Sequence, residues 1–235
     1  MDEPWQRRLG VVTPRVLRTA DSRDSPTGDG DDHYVVRVIL WINGTFGVGK
    51  TTTAKVIREQ DPAWRLFDPE WVGYMLRANL SDLDIGDFQE LPPWRALVPR
   101  VAHEIASLTG DRLVAVQTVL VEQYWDELRH GFADQGIDLF HVVLDVEEPA
   151  LLARIAADEV DPCAEPWRVN HIAAYMSARP WMMAAADLVV DTTGLTARDA
   201  AAQILEALKQ EAGGTDGTTS PGAVATGLTC ESPGC

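Results

Sequence analysis

The eight residues Gly44-Thr45-Phe46-Gly47-Val48-Gly49-Lys50-Thr51 satisfy G-x-x-x-x-G-K-[ST], the spacing of a loop that cradles phosphate groups. Glycine lets the backbone wrap so that successive N–H groups point inward, and a helix starting at Lys50 adds the positive end of its dipole. Lys50 brings a point charge to β- and γ-phosphate oxygens, the Thr51 hydroxyl is placed for Mg²⁺, and Thr52 reaches toward the α-phosphate. The chain has three lysines, Lys50, Lys55 and Lys209, so the one in this loop stands out from a background of arginine. A glycine-rich turn with a solvated lysine is the bland alternative, and it leaves the strand before the loop and the helix after it unexplained. Binding of ATP with Mg²⁺ is the expectation.

Asp68, in Phe67-Asp68-Pro69-Glu70, closes a second candidate strand, and the carboxyl ends of parallel strands open on one crevice. Two roles suit it: general base or orienting group for an acceptor hydroxyl, and N-cap of the helix that begins at Pro69. Glu70 reads as a first-turn acid. Leu113 to Thr118 ends in Gln117, an amide where motor and transporter ATPases carry the carboxylate that holds Mg²⁺ and polarises water. The sequence contains no N-K-x-D guanine motif, and its D-x-x-G, Asp191-Thr192-Thr193-Gly194, follows the last strand instead of a middle one. GTPase and motor chemistry therefore recede. Transfer of the γ-phosphoryl group to a small acceptor remains, which needs a base, cationic clamps and a lid that excludes water.

Short β-branched runs supply the strands that must position these groups: Val35 to Ile42, Trp64 to Phe67, Leu113 to Val119, Leu139 to Asp145 and Leu188 to Asp191. Segments at helical spacing lie between them: Lys50 to Gln60, Pro69 to Leu80, Trp94 to Thr109, Gln123 to Gln135, Pro149 to Ala157, Trp167 to Ser177 and Thr196 to Ala212. Apolar runs such as LVAVQTVLV suit parallel strands covered on both faces. The fold class expected is α/β, a doubly wound, mainly five-stranded parallel sheet of the P-loop NTPase type with a short helical lid at about 154–180. Thr196 and Asp199 mark the firmest boundary outside the first loop, a hydroxyl N-cap three residues ahead of an acid.

The chain has 235 residues, 46% apolar and 24% charged, with 20 Lys plus Arg against 36 Asp plus Glu and a formal net charge of −16. One folded domain over about 34–212 fits that length. Residues 1–33 and 213–235 lack hydrophobic period and read as a disordered leader and tail. The acidity disfavours nucleic acid as a partner. Cys163, Cys230 and Cys235 are odd in number and fit a reducing cytosol. No apolar run is long enough to span a bilayer, so the expected location is cytoplasmic. Acids beside Cys163 disfavour a thiolate nucleophile. His103, His141 and His171 are scattered without metal-ligand spacing, and Trp71, Trp94, Trp125 and Trp167 suit packing more than stacking on a substrate. Oligomeric state is not legible.

Ile39-Leu40-Trp41-Ile42-Asn43-Gly44 with the loop, Asp68-Pro69-Glu70 followed by Gly73 and Leu76-Arg77, and Asp87-Phe88-Gln89 followed by Pro93-Trp94-Arg95 resemble the tunicamycin-resistance protein family over residues 37–207. That family belongs to the small P-loop kinase-like proteins, among them shikimate, gluconate, adenylylsulfate and chloramphenicol kinases. The resemblance implies that Gly44 to Thr51 hold ATP and Mg²⁺, that Asp68 faces the acceptor, and that Arg77 and Arg95 line the acceptor side; surface salt bridges are the competing role for both arginines. Gln117 is suited either to hydrogen-bonding the substrate or to capping a loop. Kinases of this type carry L-x-x-R-x-x-x-R, in which both arginines approach the transferring phosphate. Arg154 supplies the first, position 158 is Asp, and Arg168 is the candidate replacement. Thr193 and Gly194 fall where related kinases pack the edge of adenine. The function implied is a small-molecule kinase acting on a nucleoside-like or antibiotic acceptor. The alternatives are an ATP-dependent protein that sequesters a nucleoside antibiotic unmodified, which the Gln117 and Asp158 departures favour, and an ATPase that drives a partner protein.

Overall fold

The computed structural model of the chain describes residues 38–156 and 171–214. Its five strands are β1 (Val38–Gly44), β2 (Trp64–Phe67), β3 (Arg112–Val116), β4 (Asp138–Asp145) and β5 (Leu188–Asp191). They form one parallel sheet in the order β2-β3-β1-β4-β5. The helices are α1 (Lys50–Gln60), α2 (Glu70–Asn79), α3 (Pro92–Thr109), α4 (Glu122–Asp134), α5 (Glu148–Ala156), α6 (Ile172–Ala184) and α7 (Ala197–Gly214), with a 3₁₀ turn at Phe88–Glu90. The kinase-like P-loop α/β class expected from the sequence is what the described residues form.

Strand alternation divides the core into two layers. Leu40 and Ile42 of β1 point into a cluster with Ala54 and Ile57 of α1, Leu151 and Ile155 of α5, and Ala200 and Ile204 of α7. Ile39 and Trp41 point the other way, into Val72 of α2, Trp94, Val98 and Ala102 of α3, and Trp125, Leu128 and Phe132 of α4. Both faces of the sheet are thereby dry, which is why its strands read as continuous apolar runs. Trp94 and Trp125 are core residues, whereas Trp71 is 46% exposed. α3 and α4 approach closely at Pro99 and Gly131, where any side chain would press within 2.8 Å of the proline ring.

Some boundaries differ from the sequence reading. β3 stops at Val116 and does not reach Val119, because Val119 N–H bonds to the Asn43 side chain instead of continuing the ladder. β1 runs two residues past Ile42 to pair Gly44 with Leu144. The helix expected over Trp167 to Ser177 is Ile172–Ala184. It continues through Pro180, its Tyr175, Ala178 and Met182 being buried against Val143; burial outweighs the one backbone hydrogen bond a proline removes. Of the span 154–180 assigned to a lid, Ile172 to Pro180 therefore lie in α6. Residues 157–170, with Asp158, Cys163, Trp167 and Arg168, lie outside the described residues, as do 1–37 and 215–235. The Thr196 cap is present: Asp199 N–H donates to Thr196 Oγ1 at 3.2 Å and Thr196 N–H to the Asp199 carboxylate at 3.0 Å. Among the described residues no helix is long and apolar enough to cross a membrane.

Candidate functional site

The loop from β1 to α1 begins at Gly44, whose φ of 135° and whose 2.4 Å approach to Leu144 O by any added Cβ exclude a side chain. Gly47 and Gly49 also hold positive φ, 83° and 103°, and Gly49 leads directly into α1 without a side-chain cap. An uncapped helix start leaves first-turn N–H groups for an anion. Lys50 lies buried under this loop and its Nζ donates to Gly44 O at 3.0 Å and Thr45 O at 2.7 Å. The Phe46 ring lies 5.3 Å from the same ammonium and meets His171 edge-on. Burial pulls the Lys50 pKa down to about 7, against the opposing pull of the Glu70 carboxylate. The buried Thr45 Oγ1 has no hydrogen-bond partner. Thr51 and Thr52 are exposed on the first turn of α1.

Beside the loop is a cleft of about 210 Å³ lined by Gly47–Gly49 and Thr52–Thr53, by Leu195, Ala197 and Ala200, and by Arg154 and Thr192. Arg154 donates to Thr192 Oγ1 at 3.0 Å, to Thr192 O, and at 3.5 Å to Val48 O. Thr192 in turn donates its N–H and hydroxyl to Asp145 O at 2.8 and 2.9 Å. Thr193 and Gly194, the residues singled out from the sequence for adenine, do not line this cleft; Thr193 Oγ1 accepts from Glu147 N–H. Their neighbours Thr192, Leu195 and Thr196 do line it. The start of α7 was the available signal for these residues.

Asp145 ends β4 and belongs to no sequence motif. Its carboxylate accepts from Tyr175 OH at 2.6 Å and from Arg179 Nε and Nη2 at 2.9 and 2.6 Å. Burial alone would raise this carboxyl, but the Arg179 guanidinium and the Tyr175 hydroxyl outweigh it and hold the group below the usual carboxylate range. Both helices flanking residues 157–170 are thus tied to Asp145, α6 through its side chain and α5 through Arg154, Thr192 and its carbonyl.

On the other face, Asp68 Oδ1 accepts from Glu70 N–H at 3.0 Å, so it caps α2 while standing at the carboxyl end of β2. Glu70 accepts from Tyr74 OH at 3.0 Å and, through its effect on Lys50, belongs to the loop's electrostatic surroundings, a role beyond that of a first-turn acid. Arg95 is 7% exposed, bonds Glu127 Oε2 at 2.6 Å and Gln89 O, and lies 4.2 Å over the Tyr124 ring. Arg77 is exposed, donates to Gly86 O at 2.9 Å and lies near the Phe88 ring. Gln117 is 6% exposed and its Oε1 has no hydrogen-bond partner. Asn43 stitches the two strand ends together, with Val119 N–H donating to Oδ1 at 3.0 Å and Nδ2 donating to Val119 O at 3.2 Å. His141 packs on Trp125 with its pKa lowered by burial to about 4, a neutral core residue. No group of three or more His, Cys, Asp or Glu side chains gathers as a metal cage among the described residues.

A family model described as an AAA domain matches residues 39–165. The structure of the tunicamycin resistance protein of Deinococcus radiodurans is similar at 28% identity and a TM-score of 0.54, covering 72% of this chain and 94% of that one. That of a Sinorhizobium meliloti gluconokinase is similar at 16% identity and a TM-score of 0.49, over 77% and 97%. The Mycobacterium tuberculosis APS kinase solved with AMPPNP and APS is similar at 21% identity and a TM-score of 0.46, over 73% and 96%. No curated protein matches the sequence.

Proposed function

The chain belongs to the AAA domain family, and from that premise we propose that it is an ATP- and Mg²⁺-dependent kinase of a small, nucleoside-like or antibiotic acceptor. The observation that carries the reading is the Lys50 ammonium, buried and held on two carbonyls of its own glycine-rich loop. A desolvated cation with neutral partners gains most from an anion placed beside it. The loop fits phosphate, with its positive-φ glycines, the uncapped start of α1 and the unpartnered Thr45 hydroxyl. The adjoining cleft is lined by Gly47 and Gly49 of the loop together with the apolar Val48, Leu195, Ala197 and Ala200, which suits a planar base.

Gly44 to Lys50, Thr51 and Thr52 would hold the phosphates. Arg154 would edge the base, tied there by Thr192. Magnesium ordinarily keeps several waters and takes few protein ligands beyond substrate phosphates; here Thr51 would supply the hydroxyl ligand. The nucleotide supplies the group transferred: a bond forms from the acceptor's hydroxyl oxygen to the terminal phosphorus, the bond to the diphosphate oxygen breaks, and the hydroxyl proton passes to a carboxylate. Asp68, at the end of β2, is the carboxylate proposed to align the hydroxyl and take its proton. Lys50 neutralises charge that accumulates on the departing side. Arg168 is kept as a proposed further cation from the segment after α5.

The test is mass spectrometry of incubations with Mg-ATP and a panel of nucleosides, nucleoside antibiotics and hydroxylated small molecules. A product heavier by one phosphoryl group, absent with Lys50→Ala and Asp68→Asn, is expected. Retention of one compound unmodified, with ATP intact, would replace the kinase by a sequestering binder.

A further inference from the structure

The carbonyl oxygen of Gly44 is shared by donors from two separate segments. Lys50 Nζ reaches it at 3.0 Å from α1, and Thr118 Oγ1 donates to it at 2.9 Å from the stretch after β3. A carbonyl has two lone pairs and takes both without competition. Thr118 is 4% exposed, so bulk water does not contend for its hydroxyl. Lys50 spends two of its three N–H donors on Gly44 O and Thr45 O, which leaves one for a phosphate oxygen. Where that donor points depends on where the two carbonyls stand, and Gly44 O is held from outside the loop by Thr118. The same stretch is clamped to β1 by the Asn43 side chain, which bonds both Val119 N–H and Val119 O.

Thr118 is in turn held by the 3₁₀ turn at Phe88–Glu90. Gln89 Nε2 donates to Thr118 O at 2.9 Å. Gln89 itself is fixed at both ends, its N–H donating to the Asp87 carboxylate at 2.9 Å and its carbonyl accepting from Arg95, which is paired with Glu127. Phe88 seats the turn on α2, its ring lying so close to Gly73 that an added Cβ would come within 2.5 Å of it. An unbroken run of hydrogen bonds therefore leads from α3 and this turn through Thr118 to the carbonyl that Lys50 uses. None of the side chains that make it belongs to the phosphate-loop pattern.

We infer that Thr118 is a positioning residue for Lys50, through which the Phe88–Glu90 turn sets the phosphate affinity of the loop. The inference rests on the reading of this loop as the ATP site and adds the link by which a segment distant in sequence governs its cation. Residues linked in this way share a coupling that double-mutant cycles measure.

Competition of Mg-ATP against a fluorescent ATP analogue on the full chain gives a dissociation constant for each variant, measured below the lowest melting transition so that it describes folded protein. Thr118→Val keeps the shape of the side chain and removes the donor; it should weaken ATP roughly fivefold, and Thr118→Ser should restore the wild-type value. Gln89→Leu should weaken ATP in the same direction, and Gln89→Leu with Thr118→Val should fall no further than Thr118→Val alone. In a Lys50→Met background Thr118→Val should change nothing, whereas a hydroxyl that only stabilises the fold would act with or without the lysine. Unaltered affinity in Thr118→Val, equal losses in both backgrounds, or no recovery in Thr118→Ser overturns the inference. Should Thr118→Val not fold, Gln89→Leu with and without Lys50→Met decides in the same way. Wild-type protein that binds no ATP removes this inference together with the proposed function. ATP binding in the expected order, with no phosphoryl transfer to any compound, leaves Thr118 in its role and removes the kinase.

Discussion

In the half of the crevice proposed for the nucleotide, the groups that carry the proposal are backbone and one lysine, contributed by a continuous stretch from Gly44 to Thr53. In the half proposed for the acceptor they come from β2, β3, α2 and α3 and are spread along the chain. The difference teaches why one half is legible locally and the other is not. A loop that binds phosphate needs glycines at fixed spacing and a helix start, and both are written within ten residues. A pocket that selects an acceptor depends on which distant partner each side chain finds, and Arg95 with Glu127, 32 positions apart, is a pairing no local pattern announces.

The largest expected break in this comparison is Lys50→Ala. Removing the buried cation should lower nucleotide affinity or phosphoryl transfer by on the order of 10²–10³ while leaving the fold intact, as followed by titration with ATP alongside circular dichroism. Arg95→Ala should do the reverse. It leaves the Gln89 carbonyl unpaired and Glu127 without its partner, and costs about 2–3 kcal/mol because Glu127 is 38% exposed and partly rehydrated. A melting temperature lower by roughly 5–10 °C with ATP affinity retained is the expected outcome.

The third prediction is a pH dependence that belongs to the nucleotide half alone. Lys50 titrates near 7 in the ligand-free fold and near 10.5 when unfolded. Between those values the unfolded chain binds the extra proton, so Lys50 makes the ligand-free fold more stable as pH rises above about 7 and contributes no slope below it. Phosphate binding needs the ammonium, so it must take up that proton. The dissociation constant for ATP should be flat below pH 7 and rise about tenfold per unit above it, and Lys50→Met should erase the slope; calorimetry in buffers of different ionisation enthalpy reads the proton directly.

Thr192→Val is expected to be milder. It removes one hydroxyl that both holds Asp145 O and receives Arg154, about 1 kcal/mol, and should raise the KM for ATP by several-fold with kcat little changed. The smallest effect sharpens the link between the halves: Glu70→Gln should move the midpoint of the ATP pH profile downward, since Glu70 opposes the fall of the Lys50 pKa.

Strand order of appearance, the loop and the Thr196–Asp199 cap were legible because each depends on near neighbours. The path of α6 through Pro180 was not, because proline predicts a helix end locally while Tyr175, Ala178 and Met182 are held by Val143. The hydrogen bonds of Arg154 to Thr192 and Val48 arise only when α5 and the loop after β5 meet, so no local pattern announces them. Asp145 carried no motif at all. Gln117 stands where other P-loop proteins carry a carboxylate, and its burial depends on the neighbouring strands and not on local sequence.

The measurement closest to the central claim is a single turnover with ATP labelled in the γ-phosphate, run with a nucleoside acceptor and followed to completion. Label appearing in the acceptor, one per ADP formed and none with Lys50→Ala, is the result expected of a kinase. Label released as inorganic phosphate irrespective of acceptor, or remaining in ATP while the acceptor stays bound, would contradict it.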